Sequence, residues 1–245
     1  MQGNKTRVPK NVRRGRDSKG KKIRRKKGGP KQGLFDWGLR GGPREGSGRP
    51  RIEGSESHQK RAEISRHHPL HVTTHLVDRL PSLRFRAEIG VIRRALATGC
   101  KRNGLRLVEY SIQANHIHLL VEADSKVTMG KGLGGIFTSI AKQLNKQWGR
   151  KGKVFRERYF ARALRTPREV KNVLNYLFFN WRKHRTYQGV REFLDLATSA
   201  IHFKGWACEL PPLPDWVPRT RETPEATTWL LRVGWSKHHG LLAPA

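Results

Sequence analysis

Two strand-like runs lie almost end to end in the middle of this chain. Residues 105–114 (LRLVEYSIQA) alternate apolar and polar side chains, and residues 116–121 (HIHLLV) follow close behind. Alternation of this kind sends successive side chains to opposite faces of a sheet. Strands joined by so short a link pair antiparallel, because a parallel pair needs a crossover of a dozen or more residues. An antiparallel hairpin is therefore the fixed point around which the rest must pack.

The flanking pattern supplies the other elements. Residues 71–77 (HVTTHLV) read as a strand rich in β-branched side chains. Phe85, Ile89, Ile92 and Leu96 recur at helical spacing, with Gly104 a plausible stop. Leu133, Ile136, Phe137, Ile140 and Leu144 share one face of a second helix, and residues 159–165 read as a fourth strand. The last helix is the best signposted. Thr166 caps it, Pro167 takes the first helical position, and Glu169 stands three after the cap. Val170, Val173, Leu174, Leu177 and Trp181 form its apolar face. The order βαββαβα predicts a ferredoxin-like α+β domain over residues 67–187, an antiparallel sheet with helices on one face.

Both flanks differ from this block. Residues 1–66 are basic and Gly-rich, with few side chains able to build a core, so a tail disordered until bound is expected. Within it, Arg49 and Arg51 of a Gly-Arg-Pro-Arg string could enter a narrow minor groove. A plain solvated tail that only raises nonspecific affinity is the other reading of this segment. Residues 188–245 form a Pro/Trp-rich extension with little regular structure expected, apart from a short helix near residues 228–235. No internal repeat is present.

Charge narrows the partner. Lys and Arg total 51 against 19 Asp and Glu, a formal charge of +32. A globular surface does not need that excess, and a polyanion, nucleic acid above all, is the natural partner. A membrane surface is the rival, but no amphipathic or lipidation signal supports it, and no apolar run approaches the roughly 20 residues of a span. Cys100 and Cys208 are isolated, which excludes a disulfide framework and a zinc finger and fits a reducing cytoplasm. The basic N-terminus lacks the apolar stretch of a secretory signal.

The candidate chemistry starts at His116 and His118. On a strand both imidazoles project from one face, where they could hold a metal ion or simply be hydrogen-bonded, half-buried rings. A histidine triad would need a third His where Leu120 stands, and the His-Glu-x-x-His spacing of zincins is absent. Any third ligand must come from elsewhere. On a wheel of the last helix, Tyr176 falls roughly 120° from the apolar centre, with Asn172, Asn180 and Lys183 on its side. Tyr176 and Asn180 are four apart and so share a face. The Gly-rich run at residues 130–135 lacks a P-loop ending and is read as close packing, and His67, His68 and His71 as structural.

Taken together, Asn115-His116-Ile117-His118-Leu119-Leu120-Val121 resembles the HUH motif of bacterial single-tyrosine transposases. PREVKNVLNYLFFNWRKH, residues 167–184, resembles their tyrosine helix, with Tyr176 at the nucleophile position. His71-Val72-Thr73 and Phe155-Arg156-Glu157-Arg158-Tyr159 extend the likeness to about half the chain, nearest to the REP-associated group. Ala114 and Trp181 stand where Pro is common in that group.

The resemblance implies a transposase, a DNA strand transferase. His116 and His118 would bind a divalent metal, Mg or Mn, with Asn180 as a third, amide-type ligand. Tyr176 would cut single-stranded or hairpin DNA through a 5′-phosphotyrosine link. A phenol is mostly protonated at neutral pH, so it needs help from the metal or a basic group such as Lys183. Arg156, Arg158, Arg162 and Arg165 could track the DNA backbone or be an ordinary solvated edge. A homodimer and a cytoplasmic, nucleoid-associated setting would also fit. Three alternatives stay open: a noncatalytic nucleic-acid-binding module on the same fold, a decayed copy of the transposase, and a phosphodiesterase that uses water as nucleophile.

Overall fold

The computed structural model describes residues 63–102, 104–184, 195–210, 212 and 221–243. Along the chain lie β1 (Leu70–His75), α1 (Arg86–Gly99), β2 (Lys101–Arg102), β3 (Leu105–Ile112), β4 (His116–Ala123), α2 (Lys126–Gln147), β5 (Phe160–Ala163) and α3 (Pro167–His184). A 3-10 turn at Ser199–His202, a π-helical turn at Leu230–Gly234 and α4 (Trp235–His239) follow. The strands form one antiparallel sheet in the order β2-β3-β4-β1-β5. This is the expected α+β, βαββαβα plan, with the two-residue β2 added at one edge.

The two sheet faces are covered differently. Ile117, Leu119 and Val121 of β4 point to α1 and α2, where Ile92, Leu96, Leu133, Ile136 and Ile140 bury them. Helices on one face therefore describes α1 and α2. α3 lies across the opposite face, because Leu120 and Val108 also need cover there, and Val170, Leu174, Leu177 and Phe178 provide it. The apolar positions of β3 serve both faces through a β-bulge between Leu107 and Glu109. With the extra residue, Leu105, Leu107, Tyr110 and Ile112 all reach the α1/α2 core, although strict alternation would split them. The bulged Val108 keeps its carbonyl satisfied by Thr223 Oγ1 at 2.7 Å and Arg221 Nη2 at 3.0 Å.

Several boundaries differ from the sequence reading for local reasons. α1 stops at Gly99, and Gly104 instead turns the β2–β3 hairpin at φ 70°, a region where side chains are strained. Of the glycines in α2, Gly132 is the packing one, since a Cβ there would lie 2.6 Å from Leu105 Cδ2. Gly130, Gly134 and Gly135 have open space around them.

The C-terminal residues are more ordered than their composition suggested. Ala200, Trp206, Leu230, Leu231, Trp235 and Leu242 pack with α3 in the second core. The helix there is found at Leu230–Gly234 and Trp235–His239, a little later than expected. Its start is pinned to the sheet by buried Glu122 of β4, whose carboxylate accepts from Thr227 N, Thr228 N at 2.8 Å, and both threonine hydroxyls. Indoles buried by docking leave no periodicity to read. The basic segment and its Arg49 and Arg51 lie outside the described residues. No helix among the described residues is long and apolar enough to cross a membrane.

Candidate active site

β1 and β4 build the floor of the site by register alone. Thr73 pairs with His118 and His75 with His116, so these four side chains share the face crossed by α3. His71, two residues before Thr73, joins them. The His75 and His116 rings stack at 5.0 Å, and His116 and His118 meet edge-on at 4.7 Å. His116 and His118 are both buried.

Each of the two site imidazoles has a hydrogen-bond partner at Nδ1. Asn115 Oδ1 lies 2.7 Å from His116 Nδ1, so that nitrogen carries the proton and Nε2 the lone pair. On His118, Nδ1 lies 3.0 Å from Thr73 Oγ1 and 3.3 Å from His71 Nε2. In the tautomer that donates Nδ1–H there, Nε2 carries the lone pair. Burial, helped by the charge of Arg162, pushes the His71 pKa down to about 4, so His71 is neutral near pH 7.

α3 delivers the tyrosine. Its start is held by the expected capping box: Glu169 N–H donates to Thr166 Oγ1 at 3.2 Å, and Thr166 N–H donates back to Glu169 Oε2 at 3.2 Å. Val170, Leu174 and Phe178 anchor the helix, and Tyr176 falls at the edge of that buried arc, 39% exposed. Its ring lies 4.9 Å from that of His118 and 6.1 Å from that of His71, edge-on to both.

Asn180 follows one helical turn later. It is 3% exposed, and neither Oδ1 nor Nδ2 has a hydrogen-bond partner. The sequence reading put it on the polar side of α3 with Tyr176; the structure buries it, and Trp181 is only partly buried. An orphaned buried amide costs about 1–3 kcal/mol, so a native chain keeps one where an ion or water satisfies it. Two imidazole lone pairs and an amide oxygen are a donor set that suits a divalent ion tolerant of nitrogen and oxygen ligands. Among the described residues no three His, Cys, Asp or Glu side chains gather as a group that could hold a metal ion.

The four arginines are all exposed, and they differ in position. Arg162 pairs in register with His71 and so borders the site, with Glu169 at 3.8 Å. Arg156 follows β1's end, its N–H donating to His75 O at 2.8 Å. Arg158 and Arg165 flank β5 on either side. The Lys183 side chain, Arg49 and Arg51 lie outside what is described. Sequence reasoning left His71 as structural and did not single out Thr73 or His75. Their spacing of two along a strand was the available signal.

With this geometry in place, comparison with known proteins is informative. Residues 71–178 match the family model described as transposase, IS200-like. No curated protein matches the chain. Among solved structures, a REP-associated tyrosine transposase bound to a REP hairpin is 16% identical, with a TM-score of 0.47, over 70% of this chain and 99% of its own. A transposase candidate from Deinococcus radiodurans R1 is 12% identical, with a TM-score of 0.36, over 54% of this chain and 97% of its own. The matched segment runs from the first site histidine in β1 to just past Tyr176 in α3. Over residues 71–178, somewhat under half of its length, the chain is similar to IS200-like transposases.

Proposed function

We propose that the protein cuts and rejoins single-stranded or hairpin DNA, with Tyr176 as nucleophile. The observation that carries this reading is the Tyr176 ring set 4.9 Å from His118 while 39% exposed, at the edge of the buried face of α3. His116 and His118 hold a divalent cation, Mg or Mn, through their Nε2 atoms, and Asn180 contributes its amide oxygen. When bound, the cation polarises a non-bridging phosphate oxygen and offsets its charge.

Tyr176 Oη attacks phosphorus in line and loses its proton, for which Lys183 is the candidate helper. The P–O3′ bond breaks, and the departing oxygen takes up a proton to become a 3′-hydroxyl. The 5′ side stays esterified to Tyr176. One phosphodiester is exchanged for another, so a second 3′-hydroxyl can reverse the step without ATP. Near pH 7 neutral His71 adds no positive charge to hold the phosphate, so that task falls to Arg162 beside it.

A single-stranded substrate is favoured by Phe160. It is 47% exposed, pairs in register with Thr73 and therefore shares the site face. Arg158 and Arg162 stand two residues to either side. An aromatic ring between guanidinium groups offers a stacking surface to an unpaired base and phosphate contacts beside it. Arg156 and Arg165 extend the same basic path.

The test is a denaturing gel of the full chain mixed with labelled hairpin DNA, with Mn, Mg or chelator. The expected result is a metal-dependent, denaturant-resistant adduct that Tyr176→Phe abolishes while DNA binding persists. Tight binding without any adduct over a broad hairpin pool would favour a noncatalytic module. Turnover by Tyr176→Phe would favour water as nucleophile.

A further inference from the structure

Gln113 follows directly on β3, the strand paired with the histidine strand β4. Its backbone N–H donates to His116 O at 2.9 Å, so it stands opposite His116, as Ser111 stands opposite His118. Residues opposite one another across antiparallel strands project from the same face. The side chain is 1% exposed, and it reaches along the strand to donate from Nε2 to Ser111 Oγ at 2.8 Å. Its amide is thus tied down beside both metal-ligand candidates. Its other end, Oε1, is buried and has no hydrogen-bond partner.

A buried carbonyl oxygen left unsatisfied costs about 1–3 kcal/mol, and an apolar side chain of similar volume at this position would avoid that cost. The oxygen only accepts. It cannot bind a phosphate oxygen, which also accepts, so its partner is a cation or a hydrogen-bond donor. With Nε2 committed to Ser111, the oxygen is the end of the amide available to the site. Asn180 presents a second orphaned amide, from α3, the helix that brings Tyr176 to His118.

We propose that Gln113 Oε1 is a further ligand of the divalent cation held by His116 and His118. The proposal rests on the metal reading of that site. Gln113 and Asn180 then give two neutral oxygen donors beside two imidazoles, one from the sheet and one from α3. The sheet would hold three of the four ligands in place before α3 adds its own. Ser111 acts as the positioning residue, fixing the amide so that oxygen rather than nitrogen is offered.

The experiment is Mn titration of the full chain, free Mn being followed by electron paramagnetic resonance, for wild type, His116→Ala, Gln113→Met and Gln113→Glu. Gln113→Met should raise the Mn Kd about tenfold or more, in the range seen when a supporting contact of a metal site is lost. Gln113→Glu, which keeps the shape and adds charge, should bind Mn more tightly than wild type. It serves as the second reading if Gln113→Met fails to fold. An unchanged Kd in Gln113→Met, or in Gln113→Glu, together with loss of binding in His116→Ala, overturns the Gln113 assignment alone. No Mn binding by wild type overturns the metal reading and this assignment with it.

Discussion

Single residues in this protein carry burial costs that their protein neighbours do not offset. Asn180 holds both amide atoms buried without partners. Replacing it with Leu, of similar size, should raise the stability of the metal-free chain by about 1 kcal/mol, because an unmet polar group is removed. The same change should abolish Mn-induced stabilisation. Thermal melts with and without Mn read both effects, and a destabilised variant that still responds to Mn would contradict the assignment. Glu109 is a second case, away from the cation. Burial pushes its pKa up to about 7, against the opposing pull of Arg221 at 2.5 Å. A carboxyl raised in the folded state keeps its proton where the unfolded chain has lost it. Its contribution is thus full below the ordinary carboxylate range and is lost as pH rises through about 7. Asp195 is raised in the same direction by burial. Wild type should therefore lose melting temperature relative to Glu109→Gln between about pH 4.5 and 7, the opposing rise from the lowered His71 being common to both proteins. At this scale strand periodicity put His116 with His118 and helix periodicity put Tyr176 with Asn180, while joining the two sets into one site rested on the family resemblance. The sequence did not reveal Gln113 or His71, whose roles depend on which strand lies beside which.

Each element is specified where its ends carry local chemistry. The capping box predicted for α3 is present, and the hairpin of β3 and β4 forms as its short link requires. The β-bulge in β3 left no trace in the residue pattern, because Val108 and Glu109 are ordinary strand residues until a neighbour fixes the register. The helix ending at Leu230–Gly234 and Trp235–His239 is held by a carboxylate from another strand, which no local window contains. Glu122→Ala removes the acceptor for two backbone N–H groups and two hydroxyls. It should destabilise the chain by about 3 kcal/mol, the scale of a charged hydrogen-bond network, as read by urea denaturation. Edge strand β5 makes the functional counterpart. Phe160→Ala should weaken single-stranded DNA binding by about 1–3 kcal/mol, the worth of one stacked base. Phe160→Trp should retain binding and duplex affinity should change little, both by fluorescence anisotropy.

At the scale of the molecule, two cores share one sheet. The first, under α1 and α2, is the expected one, and it leaves the histidine face free for α3. The second needs the C-terminal residues, whose indoles close over α3 and so hold Tyr176 against the histidines from behind. That coupling was not legible from composition, since Pro- and Trp-rich segments give no period to follow. The formal charge of +32 is a whole-chain property as well, and it makes any DNA affinity strongly salt-dependent. The proposed function turns on one bond, between a tyrosine oxygen and a DNA phosphate. The decisive measurement is protease digestion of the adduct formed with Mn and hairpin DNA, followed by mass spectrometry of the nucleotide-bearing peptide. The account predicts a nucleotide attached through its 5′-phosphate to Tyr176, with a free 3′-hydroxyl on the released strand. Attachment at any other residue, or a 3′-phosphate link, would contradict it.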